Sequence, residues 1–220
     1  MLRRAAVLAL PLVAAAATAP AVGLPELAAQ VSSATVVVEA ATREGTRTGS
    51  GFFLEQRGLV ATALHTVEGA RRVRVAIPGR FAASDARLIA VSSAWDLAVL
   101  EVGWPADVPY PGLRLDTAPL SPGTEVGLTG YGHLWGNTPA VPLTLRGIAS
   151  GSIAHQGSFV SVLDLGAREG FSGSPVFRMD TGAVAGVLTR VYAPQGGSGP
   201  GGAAPSSALA VLVSGIGLPR

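Results

Sequence analysis

The sequence predicts an all-β protein built as a sandwich or barrel. No helical periodicity of any length runs between Ala34 and Val191. Short β-branched or alternating apolar runs recur there instead, and Gly, Pro, Asn and Asp punctuate them at close spacing. The 220 residues, with 29 Gly and 16 Pro, suit one large domain or two small lobes with many turns and a real core.

The elements follow in order. Thr35 to Ala40 is a β-branched run. Gly51-Phe52-Phe53-Leu54 and Leu59-Val60-Ala61-Thr62 flank Gln56-Arg57-Gly58 and read as a hairpin. Arg72 to Ile77 alternates arginine with apolar residues, as a half-exposed strand does; Arg87 to Val91 and Leu97 to Val102 follow. Pro105, Pro109 and Pro111 break the pattern and predict a linker between two lobes. Strands resume at Glu125–Thr129, Leu143–Ile148, Phe159–Leu165, Val176–Arg178 and Ala183–Val191. Gly196 to Gly202 reads as a flexible loop, and Ser206 to Ile216 as a final strand and a short helix.

The first residues read as an export signal: Arg3 and Arg4, an apolar run from Ala5 to Ala17, then small residues at Ala17, Ala19 and Ala21. Residues 1–21 are expected to be removed, leaving 22–220 as the secreted or periplasmic chain; an uncleaved anchor is the alternative. The run is shorter than the ~20 residues that span a bilayer, so no membrane association beyond export is expected. All sixteen basic residues are arginines. Two leave with the signal, and the remaining fourteen balance fourteen acids, so a basic nucleic-acid-binding surface is not expected. With no cysteine there is no disulfide framework and no thiolate metal site.

Three residues carry chemistry. His65 ends the run Leu59 to Leu64, Asp96 opens Asp96-Leu97-Ala98-Val99-Leu100, and Ser172 sits in Gly170-Phe171-Ser172-Gly173-Ser174-Pro175. A serine hydroxyl needs a base to take its proton and a carboxylate to hold that base in one tautomer. Each residue alone has a structural reading: Asp96 as a turn carboxylate, Ser172 as part of a Gly/Ser hairpin, His65 as a polar residue at a core edge. His133 and His155 lie in turn-like settings and read as loop residues. Together the three give the order His–Asp–Ser. No histidine follows Ser172, which excludes the α/β-hydrolase order. The β-like Pro175-Val176-Phe177 does not continue as the helix a subtilisin-like nucleophile requires.

With these motifs the chain resembles the chymotrypsin-like serine proteases, and among them the bacterial HtrA-type peptidase domains. Gly49-Ser50-Gly51-Phe52, Thr62-Ala63-Leu64-His65-Thr66-Val67, Asp96 to Leu100, Pro122 to Val126, Gly170 to Pro175 and Ala204 to Ser207 carry the resemblance, which covers roughly Val31 to Val213. It implies two antiparallel six-stranded β-barrels, about 31–103 and 112–215, with a short C-terminal helix and the site in the cleft between them. Ser172 would be the nucleophile, His65 the proton shuttle and Asp96 its orienting carboxylate, with the N–H groups of Gly170 and Ser172 as the oxyanion hole. Gly166, Thr189, Arg190 and Val191 would line the primary substrate pocket. Gly166, where a trypsin-like enzyme carries aspartate, implies small or medium apolar side chains, unless Arg190 turns in and selects acidic ones. The segment Pro194–Pro205 is expected to be mobile and to gate the cleft.

Phe171 departs from the family's Asp or Asn before the nucleophile, so activation by pairing with a newly cut N-terminus is not expected. The resemblance includes no PDZ domain, and neither peptide sensing nor cage assembly carries over. The expected function is a serine endopeptidase acting on protein or peptide substrates through an acyl-enzyme, with no metal or organic cofactor and a monomeric state. The alternatives are a catalytically silent, peptide-binding relative and a hydrolase of small esters.

Overall fold

The computed structural model describes residues 23–105, 109–134, 141–155, 157–194 and 197–217. The proposed signal at 1–21 lies outside them. A first helix, α1 (Leu24–Ala34), leads into β1 (Thr35–Ala41), β2 (Thr46–Phe53) and β3 (Leu59–Ala63), the single-turn α2 (Leu64–Val67), then β4 (Arg72–Ile77), β5 (Phe81–Ser92) and β6 (Leu97–Val102). The second half runs β7 (Glu125–Gly130), β8 (Leu143–His155), β9 (Ser158–Ala167), β10 (Pro175–Arg178), β11 (Val184–Val191), β12 (Gly199–Pro205) and α3 (Ser206–Ser214).

These strands close into two antiparallel barrels. The first has the order β1-β2-β3-β6-β5-β4, and the second repeats it as β7-β8-β9-β12-β11-β10. Closure leaves no free sheet edge. Each barrel fills its own interior: Val36, Phe53, Val75 and Leu100 in the first, Leu128, Leu163, Val176 and Leu188 in the second. A third apolar cluster joins the barrels. Phe52, Leu59 and Leu97 meet Phe177, Val187 and Ala204 there, and α1 (Leu27, Val31) and α3 (Leu209, Val213) cover it.

Four expectations need correction. The helix α1 was not expected, although Pro25 in its first turn and buried Leu27, Val31 and Ala34 give it a start signal and one apolar stripe. The strands β5 and β8 are longer than the runs 87–91 and 143–148. Their added residues are largely exposed, so the alternation that marks a half-buried strand is missing. Gly199–Gly202 is not a loop but the first half of β12, paired with β11 and β9. A Cβ at Gly201 would stand 2.6 Å from Leu188 Cδ1, so this glycine serves close packing rather than freedom. The proposed mobile segment Pro194–Pro205 therefore holds a strand over most of its length. Its residues 195 and 196 lie outside the described ones. Finally, Ser206–Ser214 is helix alone, the last strand having come before it.

The proline-rich connection is stitched to both barrels by Leu113 N–H to the Phe53 carbonyl and Val184 N–H to the Arg114 carbonyl, both at 2.9 Å. Asp116 accepts the Ala118 N–H and pairs with Arg178 at 2.6 Å, and these two contacts hold its carboxyl below the ordinary aspartate range.

Candidate active site

The strand β3 is buried over its whole length and delivers the chain to the barrel rim, where α2 turns it. His65 stands in that turn. Arg47 of β2 steadies it from outside: Nη1 donates to the His65 carbonyl at 3.1 Å and the Glu68 carbonyl at 3.0 Å.

Asp96 lies in the turn before β6 with φ 54°, the one non-glycine among the described residues in the left-handed region. Short polar side chains tolerate that region best, and strain there persists only where surrounding bonds hold it. Here the Asp96 carbonyl accepts the Leu64 N–H at 2.9 Å, and Oδ1 accepts the His65 N–H at 2.9 Å. The second oxygen, Oδ2, is 2.6 Å from His65 Nδ1, and His65 Nε2 is 3.0 Å from Ser172 Oγ. The Asp96 side chain is 15% exposed and that of His65 47%, so the carboxylate is shielded while the imidazole faces the cleft. Across the interface, Ser158 Oγ at the β8–β9 tip shares its one proton between the Ala94 carbonyl at 2.9 Å and the His155 carbonyl at 2.8 Å, and so links the turn that carries Asp96 to the second barrel.

Ser172 sits between Gly170 and Gly173, at φ 86° and 88°. A Cβ on Gly173 would collide with the Ser50 carbonyl, so this turn admits glycine only. Phe171 is fully buried, and its ring lies where a Cβ on Gly132 would have to be. Packing thus fills the place where the family's Asp or Asn was expected. The Gly173 N–H donates to the Leu188 carbonyl at 2.7 Å and ties the turn to β11. The N–H groups of Gly170 and Ser172 meet no acceptor among the described residues.

A cleft of about 320 Å³ opens beside Ser172. Thr46–Thr48 and His65 of the first barrel form one side, and His133, Glu169 and Gly170 of the second form the other. His133 is a loop residue, as expected, but it stands at the site and its N–H donates to the Glu169 carbonyl at 2.8 Å. His155, read from sequence as a loop residue, instead closes β8, and it does not line the cleft. From sequence, Ser50, His133 and Glu169 had no role at the site, and His133 was read only as a loop residue. Ser50 had a signal in its Gly-Ser-Gly setting; the other two had none.

The four expected pocket residues share one barrel but not one strand. Gly166 is on β9, and Thr189, Arg190 and Val191 are on β11, with β12 between them. The buried Thr189 donates its hydroxyl to the Gly202 carbonyl at 3.5 Å, while Arg190 and Val191 are half-buried. Among the described residues, no group of three His, Cys, Asp or Glu could hold a metal ion.

Two closed six-stranded barrels joined across such a cleft define the chymotrypsin-like fold. The sequence profile of the trypsin-like peptidase domain matches residues 49–187, and the chain belongs to that family of serine endopeptidases. Among solved structures, the HtrA-type protease AlgW with a tripeptide is 21% identical with a TM-score of 0.75, over 86% of this chain and 62% of that one. The Rv3671c protease from M. tuberculosis in its active form is 20% identical with a TM-score of 0.72, over 97% of this chain and 94% of that one. The serine endoprotease from Yersinia pestis is 21% identical with a TM-score of 0.67, over 86% and 64%. The chain spans under two thirds of the length of AlgW and of the Yersinia pestis enzyme. At these identities the likeness is one of fold. No curated protein sequence matches significantly.

Proposed function

We propose that the chain is a secreted or periplasmic serine endopeptidase that cuts peptide bonds through an acyl-enzyme on Ser172. The observation that carries this reading is the continuous line from Asp96 Oδ2 through His65 to Ser172 Oγ, at 2.6 and 3.0 Å. Ser172 Oγ attacks the scissile carbonyl while His65 Nε2 takes its proton. Asp96 keeps Nδ1 protonated and offsets the imidazolium charge. The unengaged N–H groups of Gly170 and Ser172 receive the oxyanion. His65 then protonates the leaving amine, and the C–N bond breaks. Water enters by the same route in reverse: His65 takes its proton, the ester opens, and Ser172 recovers its hydrogen.

This route draws on no metal or organic cofactor, so activity is expected to survive a chelator. Export rests on the Arg3-Arg4 and Ala5–Ala17 pattern. No helix of the described residues is long and apolar enough to cross a membrane. The domain is taken as 22–220, monomeric, with protein or peptide substrates. With Gly166 uncharged, small or medium apolar side chains are favoured on the acyl side of the cut, and Arg190 is the group that would redirect the choice toward acids. A peptide library read by mass spectrometry tests this: cleavage mainly after Lys or Arg would reject it. The activity itself is tested by turnover of casein, with Ser172→Ala as the control expected to be inert.

A further inference from the structure

One hydroxyl from the first barrel holds the nucleophile turn of the second. Ser50, on β2, is fully buried, and its polar groups reach across the barrel boundary. Its N–H donates to the Ser172 carbonyl at 2.8 Å. Its Oγ donates to the Gly170 carbonyl at 2.8 Å and accepts the Tyr131 N–H at 2.8 Å. An N–H can only donate, so the one hydroxyl proton is committed to Gly170. Its carbonyl accepts the Thr62 hydroxyl at 2.7 Å, which fixes Ser50 to its own barrel.

These bonds close a ring. Ser50 Oγ grips Tyr131; two residues on, the His133 N–H grips the Glu169 carbonyl; the next carbonyl, Gly170, returns to Ser50 Oγ. In a trans peptide the C=O and the following N–H point in opposite directions, and no cis peptide occurs among the described residues. Fastening the Glu169 carbonyl to His133 therefore turns the Gly170 N–H away from His133. Fastening the Gly170 carbonyl to Ser50 fixes the next peptide plane. Every other member of the ring belongs to the second barrel.

We propose that Ser50 is a positioning residue for the reaction: its hydroxyl locks the Glu169–Gly170–Phe171 peptides so that the Gly170 N–H is held ready for the oxyanion. This rests on the function proposed above. Removing the hydroxyl leaves the Tyr131 N–H and the Gly170 carbonyl without partners; the His133 N–H keeps the Glu169 carbonyl but loses the ring that holds the two segments together. His65 and Asp96 take no part in the ring and are not disturbed.

The test compares wild type with Ser50→Ala, and with the similarly shaped pair Ser50→Thr, which keeps a hydroxyl, and Ser50→Val, which does not. For Ser50→Ala, kcat on a peptide substrate is expected to fall about 10²-fold, as on loss of one oxyanion donor. KM is expected to stay within about threefold, the pattern of a transition-state contact. Affinity for a peptide boronic acid should fall with kcat, the pH profile should keep its shape, and Ser50→Thr should exceed Ser50→Val. Wild-type kcat in Ser50→Ala, a loss carried by KM alone, or equal Thr and Val activities would overturn the proposal. If no variant folds, amide exchange in the wild-type protein decides: Tyr131 should exchange slowly, and rapid exchange in the native state refutes the ring. Wild type that does not react with a fluorophosphonate would remove the functional reading itself; wild type that reacts no faster than Ser50→Ala removes only the role of Ser50.

Discussion

The two barrels share one strand order but hold their parts of the site by different means. In the first barrel, His65 and Asp96 position each other: the Asp96 carbonyl, its Oδ1 and its Oδ2 all engage Leu64 or His65. In the second barrel, the turn of Ser172 is held from outside, by Ser50 of the first barrel and by the backbones of Tyr131 to His133 and Leu188. The proposed acid–base half is therefore held mainly by its own bonds, with the Ser158 hydroxyl on the Ala94 carbonyl as its tie across the interface, while the proposed nucleophile half depends more heavily on that interface. The first should tolerate damage elsewhere in the fold. The second should fail whenever the barrels shift.

The largest expected effects come from removing either half. Ser172→Ala or His65→Ala should lower turnover by several orders of magnitude in a folded protein, and Asp96→Asn by about 10⁴. Steady-state kinetics beside circular dichroism checks all three. A fall of less than tenfold in Asp96→Asn would mean that His65 is held by something other than its carboxylate.

A contrast between two glycines sharpens the claim about the nucleophile turn. Gly173 and Gly69 both have positive φ, at 88° and 71°. A Cβ on Gly173 meets the Ser50 carbonyl, whereas one on Gly69 meets nothing within 4 Å. Gly69→Ala should cost only the left-handed strain, about 1–2 kcal/mol, and leave kcat intact. Gly173→Ala adds overpacking of about 1–3 kcal/mol and should abolish turnover. Denaturant unfolding with parallel kinetics separates them. Equal kcat losses in both would contradict the dependence on the interface.

A third comparison uses two tyrosines, the half-buried Tyr110 and the buried Tyr131. Tyr110 donates to the Gln56 carbonyl and accepts the Gly58 N–H, each at 3.0 Å, whereas the Tyr131 hydroxyl is buried without a partner among the described residues. Tyr110→Phe should cost about 1 kcal/mol, and Tyr131→Phe should be neutral or slightly stabilising. Burial pushes both hydroxyls up to about 12. With the unfolded value near 10, the protonated forms stabilise the fold fully below about pH 10, and that contribution is lost as pH rises through about 12. Unfolding followed against pH, with phenolate absorbance as reporter, checks the sign. The smallest effect belongs to the exposed Arg87–Glu101 pair at 2.7 Å, whose removal should change stability by no more than about 1 kcal/mol.

What could be read from sequence follows from burial. The strands β4 and β6 have the bounds their apolar patterns imply, because alternating burial along β4 leaves a period of two and nearly continuous burial along β6 leaves an apolar run. The strands β5, β8 and β12 hid their extent. In the first two, exposure on both faces erases alternation; in the third, glycines that signal looseness locally are required by close neighbours. The three side chains of the proposed mechanism were legible because His65 ends an apolar run, Asp96 opens one, and Ser172 stands in a short glycine-flanked motif. Ser50, His133 and Glu169 act largely through backbone groups or across 81 to 120 residues of chain, distances at which spacing in sequence carries no information.

The most direct measurement is reaction of the purified wild-type chain with a fluorophosphonate, followed by peptide mapping, because phosphonylation needs the nucleophile, the base and the oxyanion donors at once. The expected result is one label per chain, on Ser172, abolished in Ser172→Ala and His65→Ala. A folded wild-type chain that stays unlabelled, or a label that persists in Ser172→Ala, would contradict the proposed mechanism.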